Sequence, residues 1–372
     1  MTIEMENKAP PEDLIKPNLH VVAWELTRSC NLYCAHCRGS ADSSQYDGEL
    51  TTGECFKLVD QILEVGKPIL ILTGGEPLMR RDVFEIGSYA SGRGLRVVMG
   101  TNGTLISREM AVALKKVPIA RIGVSLDFPR AELQDEFRGQ RGAFKAALAG
   151  IANARSAGIE IQINSTLTSN NVDMMDELIT LALDVGAVAF HPFLLVPTGR
   201  GKGLQSLELP PEQYEETLHK IYDKQQELGD RLFFKPTDVP HYMRVVKQRQ
   251  KESGKPATVM AGHGGHPTNV ITRGCLAGTG FAFISYLGKV KGCGYLDVEA
   301  GDVRKESFSE IWASSPLFQS LRNIANLKGK CGDCEYKRIC GGCRARAYEV
   351  TGDCLEAEPY CVYQPRQRGQ GE

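Results

Sequence analysis

The sequence predicts an α/β fold, a partial (β/α)6 TIM-type barrel followed by a C-terminal cysteine-rich module. Between residues 21 and 196, short apolar runs rich in β-branched residues alternate with amphipathic stretches of helical period, which is the pattern of βαβ units. Eight of the twelve cysteines fall between residues 275 and 361, beyond that pattern. A chain of 372 residues has room for one barrel domain of roughly 200 residues and a smaller unit.

The barrel elements follow one another in regular order. Apolar runs predict six strands, at 21–26, 69–73, 95–100, 119–125, 160–165 and 187–195. Amphipathic stretches predict five helices between them, at 51–65, 82–93, 108–116, 143–157 and 173–185. Gly158 and Gly186 follow helical stretches, where a left-handed cap favours glycine, and Asp173 fits a helix start. Six strands in this order indicate a barrel that does not close.

The pattern changes after Pro197. A glycine-rich turn at 198–203 leads to polar helices at 211–229 and 239–251, and we interpret the glycine-rich stretch 253–267 as a mobile loop. A hairpin is predicted from 281–286 and 289–295, joined near Gly288, with a short helix near Ile311. We therefore divide the chain into an N-terminal segment at 1–20, the barrel at 21–205, a helical connection with the mobile loop at 206–270 and a separate cysteine-rich module at 271–372.

Composition and charge exclude several classes of function. Charged residues make up 24% of the chain and the net charge is −1, so there is no electrostatic reason to expect nucleic acid or an anionic membrane as partner. No apolar run approaches the roughly 18 residues of a membrane span, and residues 1–16 are acidic and contain proline, unlike a signal peptide. We expect a cytoplasmic protein that acts on a small molecule and uses its cysteines as metal ligands or redox groups.

Three cysteines lie close together directly after the first predicted strand. Cys30, Cys34 and Cys37 fall within eight residues, in a loop at the end of a barrel where active sites are built. Three thiolates would bind three irons of a 4Fe-4S cubane and leave the fourth iron open to a substrate. A zinc site or an electron-transfer cluster is the alternative, but both normally use a fourth ligand nearby. The spacing therefore favours an open cluster that performs chemistry.

The Cys-x3-Cys-x2-Cys spacing after a first strand resembles the radical S-adenosylmethionine superfamily, whose fold is a full or partial (β/α) barrel. The resemblance covers at least residues 21–196, and the Gly-Gly-Glu-Pro run at 74–77 is similar to the motif that receives the methionine amino group of the cosubstrate. It implies that the cosubstrate-binding residues are His36 beside the adenine, Gly74, Gly75 and Glu76 at the methionine end, Ser125 and Asp127 at the ribose, and Asn102 and Asn164 at neighbouring strand ends. For each of these, a tight turn or a helix cap is the structural alternative.

The C-terminal cysteines resemble the SPASM extension of radical enzymes that carry auxiliary 4Fe-4S clusters. The resemblance implies one cluster on Cys331, Cys334, Cys340 and Cys361. It implies a second on Cys275, Cys293 and Cys343, with Cys354 as the candidate fourth ligand. Two residues precede the fourth tail cysteine where the family often has three, so the number of auxiliary clusters stays open, as does a zinc ribbon. Cys55, in a predicted helix, is expected to be a small buried apolar residue.

Closer likeness is to enzymes of tetrapyrrole maturation. The stretches 22–28, 69–77, 193–201 and 340–348 resemble the S-adenosylmethionine-dependent haem synthases of the siroheme-derived haem pathway. Those enzymes convert two propionates of iron-coproporphyrin III to vinyl groups with loss of carbon dioxide. The resemblance therefore implies an iron-porphyrin substrate, a radical oxidative decarboxylation, an auxiliary cluster that takes up an electron, and an electron donor such as ferredoxin or flavodoxin.

A substrate with several carboxylates needs cations. Arg200 and Lys202, in the glycine-rich loop after the sixth strand, are the first candidates, and Arg344 and Arg346 the second, with solvated surface charge as the alternative for each. The candidate ligands of the porphyrin iron are three histidines, each of which is more often structural: His20, His191 and His241.

Three other functions remain open. A related enzyme acting on modified siroheme toward haem d1 would share every motif. A SPASM enzyme that modifies peptides would be expected to carry an N-terminal peptide-clasping extension, for which the roughly twenty residues before the first strand are too few. An iron–sulfur electron carrier would bind iron and never cleave S-adenosylmethionine.

Overall fold

The computed structural model describes residues 13–254 and 273–366. Its centre is a curved sheet of six parallel strands that pair in chain order. These strands are β1 (Val21–Glu25), β2 (Ile69–Thr73), β3 (Arg96–Thr101), β4 (Ile119–Ser125), β5 (Glu160–Leu167) and β6 (Ala189–Leu194). All six predicted strands are confirmed, with ends that differ by no more than two residues.

Helices cover the outer face of this sheet. They are α1 (Thr52–Val65), α2 (Val83–Gly92), α3 (Arg108–Lys116), α4 (Ala131–Arg138), α5 (Ala143–Ser156) and α6 (Met175–Asp184). The start of α1 is fixed by a capping box, in which Thr51 and Glu54 satisfy each other's backbone N–H groups. The helix α4 was missed in the sequence because it is short and mostly polar, with only Gln134, Phe137 and Arg138 buried.

Successive side chains of a strand point to opposite faces of the sheet, and the outer face is more closely packed than the inner face. In β5, Ile161 and Ile163 are buried within the hydrophobic core, whereas Gln162, Asn164 and Thr166 are half-buried on the opposite face. We call the space enclosed by this inner face of β1–β6 the lumen. Its half-buried side chains are mostly polar, which suits a site for a polar ligand.

The sheet extends beyond the six barrel strands at both edges. The short strand β7 (Phe233–Phe234) pairs in parallel with β6, and β8 (Phe281–Ile284) pairs in parallel with β1. Antiparallel pairing then adds β9 (Lys289–Lys291) and β10 (Glu299–Asp302). The expected hairpin is present with a shorter second strand. Because β8 shares the sheet of the barrel, the C-terminal region is joined to the barrel and not separate from it.

The remaining helices flank this extended sheet. They are α7 (Pro211–Leu228), α8 (Tyr242–Ser253), α9 (Phe308–Ser314), α10 (Pro316–Arg322), α11 (Gly329–Asp333) and α12 (Arg344–Thr351). The first three confirm helices that the sequence predicts. The loop predicted to be mobile, 253–267, lies outside the described residues apart from its first two. Within residues 13–254 and 273–366, no helix is both long and apolar enough to cross a membrane.

Gly150 provides a test of how tightly the helices pack on the strand ends. It is buried in α5, and a Cβ atom there would collide with the backbone carbonyl of Gly103 in the loop after β3. We expect Gly150→Ala to lower the free energy of unfolding by about 1–3 kcal/mol, since neither backbone can yield. The control Gly92→Ala, exposed in α2 with nothing near its Cβ position, should be neutral or stabilise by about 0.5–1 kcal/mol. Urea unfolding of the two variants measures both values, and equal stabilities would contradict this packing.

Candidate functional site

The cysteine loop after β1 presents three sulfur atoms at the C-terminal end of the barrel. Cys30 and Cys34 are buried and Cys37 is half-buried. Backbone N–H groups point at two of the sulfurs: Leu32 N lies 3.4 Å from Cys30 Sγ, and Ala41 N lies 3.3 Å from Cys37 Sγ. Donors of this kind are typical around the thiolate ligands of iron–sulfur clusters.

Burial disfavours the thiolate form of these cysteines. It raises the pKa of Cys30 to about 12. It also raises the pKa of Cys34, although the nearby positive charge of Arg138 offsets part of that rise. A thiolate here therefore needs a strong positive charge close by, which bound iron would provide. The donor set and its surroundings fit a metal cluster better than a reactive free thiol.

The Gly-Gly-Glu-Pro turn after β2 lies directly against the cysteine loop. Gly75 N donates to Thr27 O at 2.7 Å, and Glu76 N donates to Ser29 O at 2.9 Å. A Cβ atom on Gly74 would collide with the Thr27 carbonyl, and one on Gly75 would collide with the Ser29 carbonyl. Glycine is needed at both positions because the backbone of this turn lies directly against the backbone that leads into the cysteine loop and ends one residue before Cys30.

The Glu76 side chain joins the turn after β2 to the end of β3. Its carboxylate is fully buried and accepts hydrogen bonds from Thr101 Oγ1 at 2.7 Å, Asn102 N at 2.8 Å and Leu78 N at 3.1 Å. Burial raises its pKa to about 7. Its contribution to binding the methionine end stays a prediction.

Asp127, the candidate for the ribose hydroxyls, is held by neighbouring groups, and its role toward the cosubstrate stays a prediction. Its side chain is buried, forms an ion pair with Arg138 of α4, and accepts a hydrogen bond from Thr166 N at 2.8 Å. Arg138 Nη1 lies 3.6 Å from Cys34 Sγ. The pair Asp127–Arg138 therefore holds α4 against the cysteine loop and places a buried positive charge beside one cysteine sulfur.

His36 and Asn102 also lie at the cysteine loop. The His36 ring stacks on Phe137, with centroids 4.4 Å apart, and burial lowers its pKa to about 4, so it is neutral near pH 7. Asn102 Nδ2 donates to Asn31 Oδ1 at 2.8 Å and lies 3.9 Å from Cys30 Sγ. The role of each toward the cosubstrate stays a prediction.

Ser125, the last residue of β4, lies opposite Asn164 of β5, and both are half-buried on the lumen side. Gln162 Nε2 lies 2.7 Å from Asn164 Oδ1 and 3.0 Å from His191 Nδ1. The three strands β4, β5 and β6 therefore carry one continuous polar row along the lumen wall.

Of the three candidate iron-ligating histidines, only His191 faces the lumen. Its Nε2 atom is buried without a hydrogen-bond partner. His20 precedes β1, at the end of the sheet away from the cysteine loop. His241 is buried against Tyr214, with ring centroids 5.7 Å apart.

The C-terminal cysteines are influenced by one another in two sets, and their division into two ligand groups stays a prediction. In the first, the pKa of Cys340 is raised mainly by burial and further by the nearby Cys331 and Cys361. The pKa of Cys334 is raised in the same way by burial, by Glu335, and by the same two cysteines. Two backbone N–H groups point at these sulfurs, Gly342 N at 3.4 Å from Cys340 Sγ and Glu358 N at 3.3 Å from Cys331 Sγ.

In the second group, Cys343 is buried and Cys275 and Cys293 are half-buried. Burial raises the pKa of Cys343 to about 12, with Cys275 and Asp238 among the neighbours that add to the effect. Burial also raises the pKa of Cys293, with Asp238 and Cys275 adding to the effect. The Arg346 backbone N–H lies 3.5 Å from Cys343 Sγ. In the part of the chain that the structure describes, no three histidine, cysteine, aspartate or glutamate side chains could hold a single metal ion.

Two of the four arginine and lysine candidates for substrate binding are structural, which corrects that expectation. Arg346 is fully buried and donates to Leu195 O at 3.1 Å and Asp238 O at 3.0 Å. Arg344 is buried and donates to two carbonyls of the cysteine-rich tail, Cys354 O at 2.9 Å and Glu356 O at 2.8 Å. Their carbonyl partners occupy both guanidinium groups.

The other two candidates differ in exposure. Arg200 stacks 3.9 Å over the Tyr33 ring and donates to Cys34 O at 2.9 Å, so it braces the cysteine loop. Lys202 is exposed and pairs with Glu349 at 3.3 Å. The role of each toward the substrate stays a prediction.

The sequence analysis missed Arg38, the residue after the last loop cysteine. Its guanidinium donates to Glu25 of β1 at 3.1 Å, lies 4.4 Å over the Phe283 ring of β8, and reaches Gly294 O at 3.4 Å. It therefore joins the cysteine loop to the residue after Cys293. Its position beside Cys37 was the signal that could have identified it.

These features define a class of protein. The model of the radical SAM superfamily matches residues 24–182, and the model of the SPASM iron–sulfur cluster-binding domain matches residues 275–344. The chain is a radical SAM enzyme with a SPASM domain.

Relatives of nearly equal length narrow this class to one family. The AdoMet-dependent heme synthase of Methanosarcina barkeri is 49% identical over 93% of this chain and 97% of that protein. The AdoMet-dependent heme synthase of Oleidesulfovibrio alaskensis is 46% identical over 95% of this chain and 89% of that protein. The Fe-coproporphyrin III synthase of Methanosarcina barkeri is 32% identical over 99% of this chain and 94% of that protein. The chain belongs to the family of the AdoMet-dependent heme synthases.

A solved structure supports the fold. Streptococcus suis SuiB bound to S-adenosylmethionine has a TM-score of 0.72, covering 93% of this chain and 77% of that chain at 15% identity. At this identity the likeness concerns the fold alone, and it confirms the predicted partial barrel.

The buried pair Asp127–Arg138 should be a large contributor to stability. We expect Arg138→Met to lower the free energy of unfolding by about 3 kcal/mol or more, because it leaves a buried carboxylate unpaired. The control Arg130→Met breaks an exposed pair with Glu177 and should cost less than about 1 kcal/mol. Urea unfolding measures both, and an equal cost would show that Asp127 does not depend on Arg138.

Glu76 should make stability depend on pH. Since its pKa is raised from 4.5 to about 7, its contribution to stability is present in full below about 4.5 and is lost as the pH rises through 7. The advantage of wild type over Glu76→Gln should therefore shrink by up to about 1.4 kcal/mol per pH unit between pH 5 and 7. The control Glu109→Gln, exposed and with a lowered pKa, should show no such trend. Unfolding at pH 5, 6, 7 and 8 measures this, and a constant difference for Glu76→Gln would refute the raised pKa.

Proposed function

We propose that this protein is a haem synthase that converts iron-coproporphyrin III to protohaem, with S-adenosylmethionine as cosubstrate. One observation carries the proposal: the heme synthase relatives correspond to this chain at 46 to 49% identity over almost its whole length. The half-buried polar face of the lumen below a three-cysteine loop supports it, because a large substrate must reach the same end of the barrel as the cosubstrate.

The cysteines would hold the cofactors in three places. Cys30, Cys34 and Cys37 would hold the radical-generating 4Fe-4S cluster, the group Cys331, Cys334, Cys340 and Cys361 one auxiliary cluster, and the group Cys275, Cys293 and Cys343 another. When bound, these clusters supply the electron that cleaves S-adenosylmethionine and take up the electron that the substrate gives up.

The residues around the loop would bind and orient the cosubstrate. The backbone of Gly74 and Gly75 would receive the methionine end, and the His36 ring and the Asn102 amide would bind beside the cysteines. Ser125 and Asn164 face the lumen and would offer polar contacts to the ribose. Asp127 and Glu76 would act indirectly, since each holds a strand end or helix in position.

The reaction balances as follows for each vinyl group. One hydrogen atom is abstracted from the propionate chain, carbon dioxide leaves, and one electron passes to an acceptor. The protein must therefore orient a propionate toward the cosubstrate and exclude water from the radical. An electron donor such as ferredoxin or flavodoxin is proposed as the source of the reducing electron.

A cytoplasmic location is part of the proposal. None of the twelve cysteines is in a disulfide, which agrees with a reducing compartment.

Two alternatives are less well supported. An enzyme acting on modified siroheme toward haem d1 would share the cysteine loop and the SPASM domain. A peptide-modifying enzyme has the same fold, but the likeness to SuiB extends only to that fold.

Anaerobic turnover tests the proposed function. We expect cluster-loaded protein with dithionite, S-adenosylmethionine and iron-coproporphyrin III to release deoxyadenosine and form protohaem. Cys30→Ala should abolish both products, and the control Cys55→Ala, a cysteine buried in α1, should retain them. Mass spectrometry of the porphyrin and chromatography of deoxyadenosine measure the two products together.

The outcomes separate the alternatives. Deoxyadenosine without any change in the porphyrin would refute the haem synthase and retain a radical enzyme. No deoxyadenosine from cluster-loaded protein would favour the electron carrier.

A further inference from the structure

A bulge in β4 turns Arg121 toward the lumen. The register against β3 shifts between Val97 and Met99, so that one additional β4 residue lies between Ile119 and Ile122. Ile119 and Ile122 are both buried in the core, and Arg121 instead pairs with Glu160 at the start of β5, at 3.0 Å. The bulge therefore places a guanidinium group on the wall of the lumen.

A second cation lies across from it. Lys235 continues β7: its N–H donates to Phe190 O at 3.2 Å, which places it beside His191 of β6. In residues 13–254 and 273–366 its ammonium group has no ion pair or hydrogen bond. The pKa of Lys235 is lowered by burial and by the nearby Arg121, so the two cations are close enough to repel each other.

The neighbouring groups leave this part of the lumen positively charged. Burial lowers the pKa of His191, and Lys235 and Arg121 lower it further, so its ring is neutral near pH 7. The acid beside them, Glu160, is already paired with Arg121. A half-buried lysine without an anionic partner carries a desolvation penalty in free energy, and a bound anion would offset that penalty.

We propose that Lys235 and Arg121 form a binding site for a carboxylate group of the substrate on the lumen wall formed by β4 to β7. This inference rests on the proposed function and specifies how the same site recognises its substrate. The row of Ser125, Asn164 and His191 runs along the same wall, so a carboxylate held at Lys235 belongs to a molecule that lies beside the cosubstrate. Coproporphyrin carries propionates around its ring, and anchoring one of them would orient another toward the radical.

The first experiment is an anaerobic titration of cluster-loaded protein with iron-coproporphyrin III, followed by porphyrin absorbance. We expect Lys235→Met to weaken binding by roughly 10- to 100-fold, the effect of losing one buried charge-assisted contact. Lys235→Arg keeps the charge and should restore most of the affinity. The control Lys220→Met changes a half-buried lysine of α7 that pairs with Asp176, and it should bind as wild type does.

A second probe distinguishes charge recognition from damage to the fold. The tetramethyl ester of iron-coproporphyrin III has no carboxylates, so wild type and Lys235→Met should bind it equally. Release of deoxyadenosine without porphyrin should also be the same in both, which shows that the cysteine loop is intact.

The outcomes are distinct. If wild type makes protohaem and Lys235→Met binds iron-coproporphyrin III with unchanged affinity, the carboxylate site is refuted and the proposed function stands. If Lys235→Met loses the ester and the acid to the same degree, Lys235 is structural and the site is again refuted. If wild type neither binds nor converts iron-coproporphyrin III, the proposed function fails and this inference fails with it.

Discussion

The close approach of two backbones at the mouth of the barrel determines the geometry of the site. The turn after β2 carries Gly74 and Gly75, and hydrogen bonds from this turn to Thr27 and Ser29 fix the chain one residue before Cys30. Side chains at the two glycines would separate the turn from the loop. The position of the cysteine loop is therefore set by backbone contact, and the buried charges around it reinforce that position.

Charged side chains join the parts of this site over long stretches of sequence. Arg138 brings α4 to the cysteine loop through Asp127, and Arg38 joins the loop to the C-terminal hairpin through Gly294 O. The parallel pairing of β8 with β1 makes the same connection through the sheet. The predicted cluster ligands from both ends of the chain are thus attached to one sheet, as electron transfer between them would require.

Local patterns in the sequence were enough to predict the strands, most helices and the two iron–sulfur domains. Strand periodicity and cysteine spacing are short-range signals, so they survive without knowledge of the fold. The bulge that turns Arg121 inward and the pairing of Lys235 with β6 depend on contacts between distant segments, and no local signal marks them. The same reason explains why Arg344 and Arg346 were misjudged: their carbonyl partners are visible only in the folded chain.

The central claim is that Cys30, Cys34 and Cys37 hold a cluster with an open iron that binds S-adenosylmethionine directly. Electron paramagnetic resonance of the reduced protein tests it most directly, with and without S-adenosylmethionine labelled with ¹⁷O in its carboxylate. The account predicts a reduced-cluster signal whose g values shift on addition of the cosubstrate and which broadens with the label, and the loss of this response in Cys34→Ala. A signal whose g values and line width do not change when S-adenosylmethionine is added to fully loaded wild-type protein would contradict it.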